Sequence, residues 1–81
     1  MLTNDLKKGA RVQLRNGWYA TVMDNGRGHT RMCEVEGMYT EIGSVYAHDI
    51  IKHFTKDGEI VLVEHTEKQM KLRDQVAAFG F

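Results

Sequence analysis

Apolar and polar residues alternate along residues 10–24, with Asn16 and Gly17 in the middle of the pattern. Alternation is typical of strands whose two faces lie in different surroundings, and an Asn-Gly pair between alternating segments indicates a β-hairpin. Further short segments of β-favouring residues follow, separated by turn residues. The pattern therefore predicts a mainly β fold.

The register of this first hairpin follows from its apolar residues. A two-residue turn would place Arg15 opposite Trp18, so that cations would lie beside the apolar residues of the second strand. A three-residue loop with Gly17 in the left-handed conformation instead gathers the apolar residues on one face. We therefore predict the three-residue loop, between strands at about 10–15 and 18–24. The inward residues are then Ala10, Val12, Leu14, Trp18, Ala20 and Val22.

The rest of the chain predicts more strands and an exposed loop. Residues 1–8 are expected to form a loose lead-in, and residues 25–30, which contain two glycines and no apolar residue, an exposed loop. Strands are predicted at 31–36, with Cys33 and Val35 inward, at 38–46, with a bend or bulge at Gly43, and at 50–55. Residues 47–49 fit a short 3₁₀ turn. Five short strands with a tight turn before the last predict a small closed barrel.

The C-terminal part predicts one added strand and one helix. Residues 59–64 include an Ile-Val-Leu-Val run that is apolar on both faces, so we expect this strand to be covered from both sides. Thr66 to Gln69 is a capping box, and Gly80 can end a helix in the left-handed conformation. The helix is predicted at about 66–79, with an apolar stripe of Leu72, Val76 and Phe79. The stripe fits packing either on the sheet or against a second copy in a homodimer.

One part of the chain, residues 7–55, resembles a known class of small barrels. The motif Lys8-Gly9-x-x-Val12-x-Leu14-x-Asn16-Gly17, followed by Ala20-x-Val22, is similar to the opening of Src-homology-3-like barrels, including KOW and Tudor-type modules. Ala47-His48-Asp49-Ile50 resembles the short helical turn before the last strand of such barrels. The resemblance implies binding of proteins or nucleic acids through loops and one sheet face. In its compact size and short loops, the chain also resembles accessory proteins of bacteriophages or prophages.

Length and composition indicate one ordinary globular domain. The 81 residues are 42% hydrophobic and 27% charged, with no proline and no apolar run near the ~20 residues that a membrane helix needs. No stretch resembles a signal peptide, so a cytoplasmic location and no membrane association are expected. The single Cys33 cannot form an internal disulfide, and we expect a small buried residue there.

Charge is uneven along the chain although the total is zero. Residues 1–31 hold six Lys or Arg against two acids, and residues 32–81 hold five against nine. The halves carry about +4 and −4. This asymmetry fits a basic patch for an acidic partner, or a mixed surface on which the halves neutralise one another in space.

Neither metal binding nor catalysis has a signature in the chain. His29 with Cys33, and His48 with Asp49 and His53, lack the paired spacing of a zinc site, and we place His48 and His53 half-exposed on the rim. No feature lowers the pKa of Cys33 or supplies it with a base. We therefore expect a protein that is not an enzyme, with no metal and no cofactor.

The outward face of the first hairpin is the candidate binding surface. It carries Arg11, Gln13 and Arg15 beside Tyr19, Thr21 and Met23. We predict a non-enzymatic interaction module that binds a protein partner through this face and the 25–30 loop. The alternatives are nucleic-acid binding by the same basic surface and a self-associating structural subunit. The candidate binding residues are Arg11, Arg15, Tyr19, Met23, Arg27, His29 and Arg31.

Overall fold

The computed structural model describes residues 1–24 and 29–78. Its strands are β1 (Arg11–Leu14), β2 (Tyr19–Asp24), β3 (Thr30–Glu36), β4 (Thr40–Tyr46), β5 (Ile50–Phe54) and β6 (Ile60–Leu62), followed by helix α1 (Glu67–Ala78). Two 3₁₀ turns, Thr3–Asp5 and Ala47–Asp49, precede β1 and β5. The mainly β fold with a C-terminal helix is confirmed, as is the short turn before β5. In the described part of the chain, no helix is long and apolar enough to cross a membrane.

The six strands form one antiparallel sheet in the order β4-β3-β2-β1-β5-β6. β4 and β6 are its two edges, so the sheet is open and the predicted closure of five strands into a barrel is not confirmed. Register shifts occur at Gln13/Leu14 and at Val22/Asp24. The bulge expected at Gly43 is absent, because β3 and β4 pair without interruption from Thr30↔Tyr46 to Glu36↔Thr40.

The first hairpin has the predicted register. Val12 lies opposite Ala20, and the Leu14 N–H donates to the Trp18 carbonyl at 2.7 Å. Gly17 has a φ of 93°, which the left-handed position of a three-residue loop requires. The Asn16 side chain accepts the Trp18 N–H at 3.0 Å and braces the loop. The apolar pattern was sufficient to distinguish the two registers.

The face that carries the buried side chains is called the inner face, and its opposite the outer face. The core consists of Leu6, Val12, Leu14, Ala20, Val22, Cys33, Val45, Ile50 and Val63, with Ala10 and Val35 packed against it. Each fully buried Val, Leu or Ile of this set stabilises the fold by about 1.5–3 kcal/mol. The burial expected for Cys33 is confirmed, and that burial raises the pKa of its thiol.

Trp18, which we expected in the core, is 45% exposed. It immediately precedes the first residue of β2 and therefore lies at the loop end of the hairpin. Its six-membered ring lies over Gly37, where an added Cβ would come within 2.5 Å of the indole Cζ3. The indole therefore covers a glycine at the rim of the sheet.

The two chain ends differ most from expectation. Residues 1–8 are not a loose lead-in, since Thr3 and Leu6 are fully buried and Leu2 forms a parallel bridge to Glu64. The added strand β6 is not covered from both sides, because Ile60 and Leu62 are 59% and 69% exposed. The apolar run in the sequence could not reveal that one face of β6 is exposed, since the burial of that face depends on where the helix packs.

Helix α1 begins with the predicted capping box. The Thr66 N–H donates to Gln69 Oε1 at 2.9 Å, and the Gln69 N–H donates to Thr66 Oγ1 at 3.3 Å. The helix packs on the Ala47–Asp49 turn, and Leu72 and Val76 are half-buried. Phe79 and Gly80, the predicted end of the stripe and of the helix, lie outside the described residues.

Candidate interaction surface

Arg11 and Tyr19 form the centre of a cluster on the outer face. Arg11 donates two hydrogen bonds to the Glu36 carboxylate, at 2.8 and 2.7 Å, and its guanidinium carbon lies 5.4 Å from the centre of the Tyr19 ring. The Tyr19 ring is 5.8 Å from that of Phe54. Arg11, Tyr19, Glu36 and Phe54 are together called the outer cluster. The Arg11 guanidinium lowers the pKa of Glu36, and Glu36 in turn raises the pKa of Arg11.

The outer cluster continues onto an exposed apolar band. Phe54 lies opposite Arg11 on one side and opposite Ile60 on the other, and Leu62 lies opposite Lys52. Because residues opposite one another in an antiparallel pair share a face, Ile60 and Leu62 extend the outer face beside Phe54. Sequence reasoning missed these two residues as surface residues. Their apolar run looked like a strand buried on both sides.

Arg15 has a different position. Its backbone N–H donates to the Asp49 carbonyl at 2.8 Å, and its guanidinium donates to the His48 carbonyl at 3.1 Å and lies 3.4 Å from the Asp49 carboxylate. Arg15 therefore fastens the hairpin loop to the Ala47–Asp49 turn. Its side chain remains about half exposed, but its charge lies beside an acid, not beside Arg11 on the outer cluster.

Arg31 does not lie on the predicted surface. It is 1% exposed, and its guanidinium donates to the Thr30 carbonyl at 2.8 Å and to the Asn4 side chain. Burial lowers the pKa of Arg31. Arg31 has the same strand parity as Cys33 and Val35, which both face inward. The alternation of β3 was the sequence signal that could have predicted the burial of Arg31, and at this position it outweighs the general preference of arginine for the surface.

The remaining predicted residues are scattered. Met23 is half-buried, and the exposed His29 accepts the Ala47 N–H through its carbonyl at 2.8 Å. Arg27, with most of the 25–30 loop, lies outside the described residues. Among the predicted residues that the structure describes, Arg11 and Tyr19 are thus the two that their contacts bring together on the outer face.

Near the hairpin loop lies a groove of about 580 Å³. Its apolar lining comes from Leu14, Val35, Ile42 and Val45, with Trp18 and Tyr46 also lining it, while Arg15, Glu41 and Asp49 contribute the charged groups. Such a mixture of apolar walls and a few polar groups is typical of recognition sites. Sequence reasoning missed this groove because Trp18 was assigned to the core.

A second cavity, of about 560 Å³, is lined by several basic side chains. Lys7, Lys8, Lys56 and Arg11 line it together with His53, and Asp5 is its acidic residue. These side chains belong to the N-terminal segment, the start of β1, the end of β5 and the β5–β6 turn, which the sheet brings together. The cavity is suited to an anionic group.

The histidines differ in burial. His53 is half-buried as expected, but His48, expected half-exposed on the rim, is 2% exposed. Its ring stacks on Tyr46 with a centroid distance of 4.9 Å, and burial lowers its pKa. The prediction failed because α1 packs on the turn that carries His48. Among the residues described, no three His, Cys, Asp or Glu side chains are grouped so that they could hold a metal ion.

Comparison of the chain with protein-family models, with curated proteins and with solved structures finds no match.

Proposed function

We propose that the protein is a non-enzymatic interaction module, a small Src-homology-3-like barrel that binds a protein partner through the outer face of its first hairpin. The 3₁₀ turn before β5 and the pairing of β1 with β5 support this fold. A five-stranded barrel needs its first and last strands to pair, as β1 and β5 do here. Because β6 pairs with the other side of β5, the gap in the sheet lies between β4 and β6.

The observation that carries the proposal is the outer cluster with its apolar band. Tyr19, Ile60 and Leu62 are exposed beside Phe54, and the only cation at the centre of the cluster, Arg11, is bonded to Glu36. Aromatic side chains and arginine are enriched where protein interfaces are most strongly held. A largely neutral, apolar centre with a bonded ion pair fits a protein surface better than a nucleic-acid backbone.

Nucleic-acid binding remains the second candidate, because the lysine-lined cavity adjoins Arg11. Phosphate contacts need cations, and Lys7, Lys8 and Lys56 supply them. The arginines predicted to bind support it less, since Arg11 and Arg15 of the hairpin lie against acids and Arg31 of β3 is buried. Retardation of DNA or RNA that falls steeply with salt, and is lost in Lys7→Ser/Lys8→Ser, would favour this alternative.

The proposal is tested by nuclease-treated pull-downs with immobilised protein, followed by affinity measurements on the recovered partner. Tyr19→Ser removes the aromatic centre of the outer cluster and should weaken binding about tenfold or more. Tyr39→Ser is the matched control, because Tyr39 is a more exposed tyrosine outside the outer cluster, and it should leave the affinity unchanged. A partner bound equally by both variants, or no protein partner at all, would contradict the proposal.

A further inference from the structure

The two edges of the sheet are unequally protected. β4 is a seven-residue edge strand, paired with β3 along its whole length. Within residues 38–46 the only charged residue is Glu41, and the segment contains no lysine or proline. Met38, Tyr39 and Ile42 are 85%, 76% and 63% exposed. Natural edge strands are usually short, bulged or charged, because an unprotected edge pairs with another strand.

The opposite edge has such protection. β6 has only three residues, the segment before it contains Lys56, Asp57 and Glu59, and Glu64 lies two residues after its end. The chain just beyond it is occupied, since Leu2 bridges Glu64 and the Glu64 N–H donates to the Met1 carbonyl at 2.6 Å. Of the two edge strands, β4 is therefore the one whose edge is unprotected.

The hydrogen bonds between β3 and β4 show which backbone N–H and C=O groups of β4 point toward the open edge. The Gly37 N–H donates to the Tyr39 carbonyl and the Ala47 N–H to the His29 carbonyl, so odd-numbered residues of β4 bond to β3. In an antiparallel ladder the alternate residues point the other way. The N–H and C=O groups of Thr40, Ile42, Ser44 and Tyr46 therefore point outward, and among residues 1–24 and 29–78 no strand pairs with them.

We propose that β4 pairs with the β4 strand of a second copy of this chain, antiparallel, about a two-fold axis at Gly43. In this register Ile42 bonds to Ser44 of the second copy, and Thr40 bonds to Tyr46, so every outward-pointing residue has an outward-pointing partner. Whole-strand pairing forms about eight interchain hydrogen bonds. No other axis position pairs all of Thr40–Tyr46.

Charge and shape fit this register. Glu41 lies opposite Val45 of the second copy, which keeps the two Glu41 carboxylates roughly 14 Å apart along the ladder. Gly43 faces Gly43 at the axis, where neither copy carries a side chain, and a Cβ built on Gly43 meets nothing within 4 Å in its own chain. The dimer's free edges are then the short β6 strands, so growth stops at two copies.

Sedimentation equilibrium tests the proposal with a matched pair of lysine substitutions. The wild type should have twice the 9.3 kDa mass of one chain. Ile42→Lys places two lysines diagonally across the paired edges and should return the protein to the monomer mass. Ile60→Lys is the control, because Ile60 is equally exposed on the outer face, and it should leave the dimer intact.

A proline substitution tests the hydrogen bonds themselves. The Ser44 N–H points away from β3, so Ser44→Pro removes an interchain donor without removing a bond inside the sheet. It should raise the dimer dissociation constant about tenfold or more, because each copy loses a bond. Ser44→Thr keeps the donor and should have no effect. Circular dichroism of each variant separates loss of pairing from loss of fold.

Cross-linking tests the axis. In a Cys33→Ala background, Gly43→Cys should form an interchain disulfide in an oxidised glutathione buffer, since the Cα atoms of a non-hydrogen-bonded pair are about 4.5 Å apart. Lys56→Cys should not.

A wild type that stays monomeric at about 1 mM would overturn the proposal. A dimer that survives Ile42→Lys, or that Ile60→Lys weakens equally, would do the same. These results are independent of Tyr19→Ser, which tests the outer cluster, so the two proposals can fail separately.

Discussion

The two faces of the sheet hold their arginines in opposite ways. On the outer face, Arg11 reaches an exposed carboxylate, that of Glu36, and both remain in contact with water. On the inner face, Arg31 is enclosed and donates to the carbonyl of its neighbour Thr30 and to the Asn4 side chain. The bond to Asn4 ties β3 to the N-terminal segment. Water can replace the partner of an exposed arginine, but it cannot easily replace a buried one.

The difference separates candidate functional residues from structural ones. An exposed, replaceable ion pair is free to exchange its partner for another protein, whereas Arg31 is required by the fold itself. From the sequence, Arg11 and Arg31 were both predicted to bind a partner. Their different burial gives Arg11 a candidate binding role and Arg31 a structural one.

The largest expected effect comes from breaking the inner contact. Arg31→Ala should lower the free energy of unfolding by about 3 kcal/mol, because it leaves a void and removes the donor that serves Asn4. Arg11→Ala should lower it by about 0.5 kcal/mol, as is typical of exposed pairs. Urea denaturation of the two variants measures both values. Equal losses would contradict the distinction between the faces.

A second prediction concerns pH. Burial, with smaller contributions from Arg15, His65 and Arg73 and against the opposing effect of Asp49, lowers the pKa of His48 below its usual value. Because the unfolded chain binds a proton at His48 more readily than the folded chain, protonation of His48 favours unfolding. The free energy of unfolding is therefore not reduced by His48 above about pH 6.5, and it decreases as the pH falls from there toward the lowered pKa. His48→Gln, which does not titrate, should remove the part of the slope in this window. A slope identical to that of the wild type would show that His48 does not cause it.

Much of the fold was predictable because local chemistry determines it. The hairpin register needed only the apolar pattern and a glycine able to adopt a positive φ, and the capping box of α1 needed only Thr66 and Gln69. These features depend on neighbours within a few residues. No long-range packing had to be known.

The errors arose where distant segments decide burial. Thr3 and Leu6 are buried because the N-terminal segment lies against Ala47 and the chain after β6, and His48 is buried because α1 packs on its turn. Trp18, at the loop end of the hairpin, is exposed although it has the strand parity of the buried Ala20 and Val22. The candidate surface was therefore predictable around Arg11 and Tyr19, whereas the groove and the unprotected β4 edge depended on topology.

Arg15 is intermediate between the two cases, since it is half exposed but bonded to a turn. Arg15→Ala should lower the free energy of unfolding by about 1 kcal/mol, because the His48 carbonyl and the Asp49 carboxylate lose a donor. Arg15→Lys keeps the charge but not the forked geometry, and it should recover only part of the loss. Thermal or urea unfolding gives the ranking. A loss as large as that of Arg31→Ala would place Arg15 among the buried contacts.

The smallest effect is expected from the outer pair itself, where a titration of Glu36 shows the consequence more directly than unfolding does. The hydrogen bonds from Arg11 lower the pKa of Glu36, so Arg11→Gln should return that pKa upward toward the ordinary value of a glutamate. Because the folded pKa is the lowered one, the pair stabilises the fold above the unfolded pKa, near 4.3, and this contribution disappears as the pH falls through the folded value. An NMR titration of the Glu36 side chain in the variant and in the wild type measures the change. A Glu36 titration that is unchanged in Arg11→Gln would mean that the pair does not persist in solution, and that Arg11 is free on the outer face.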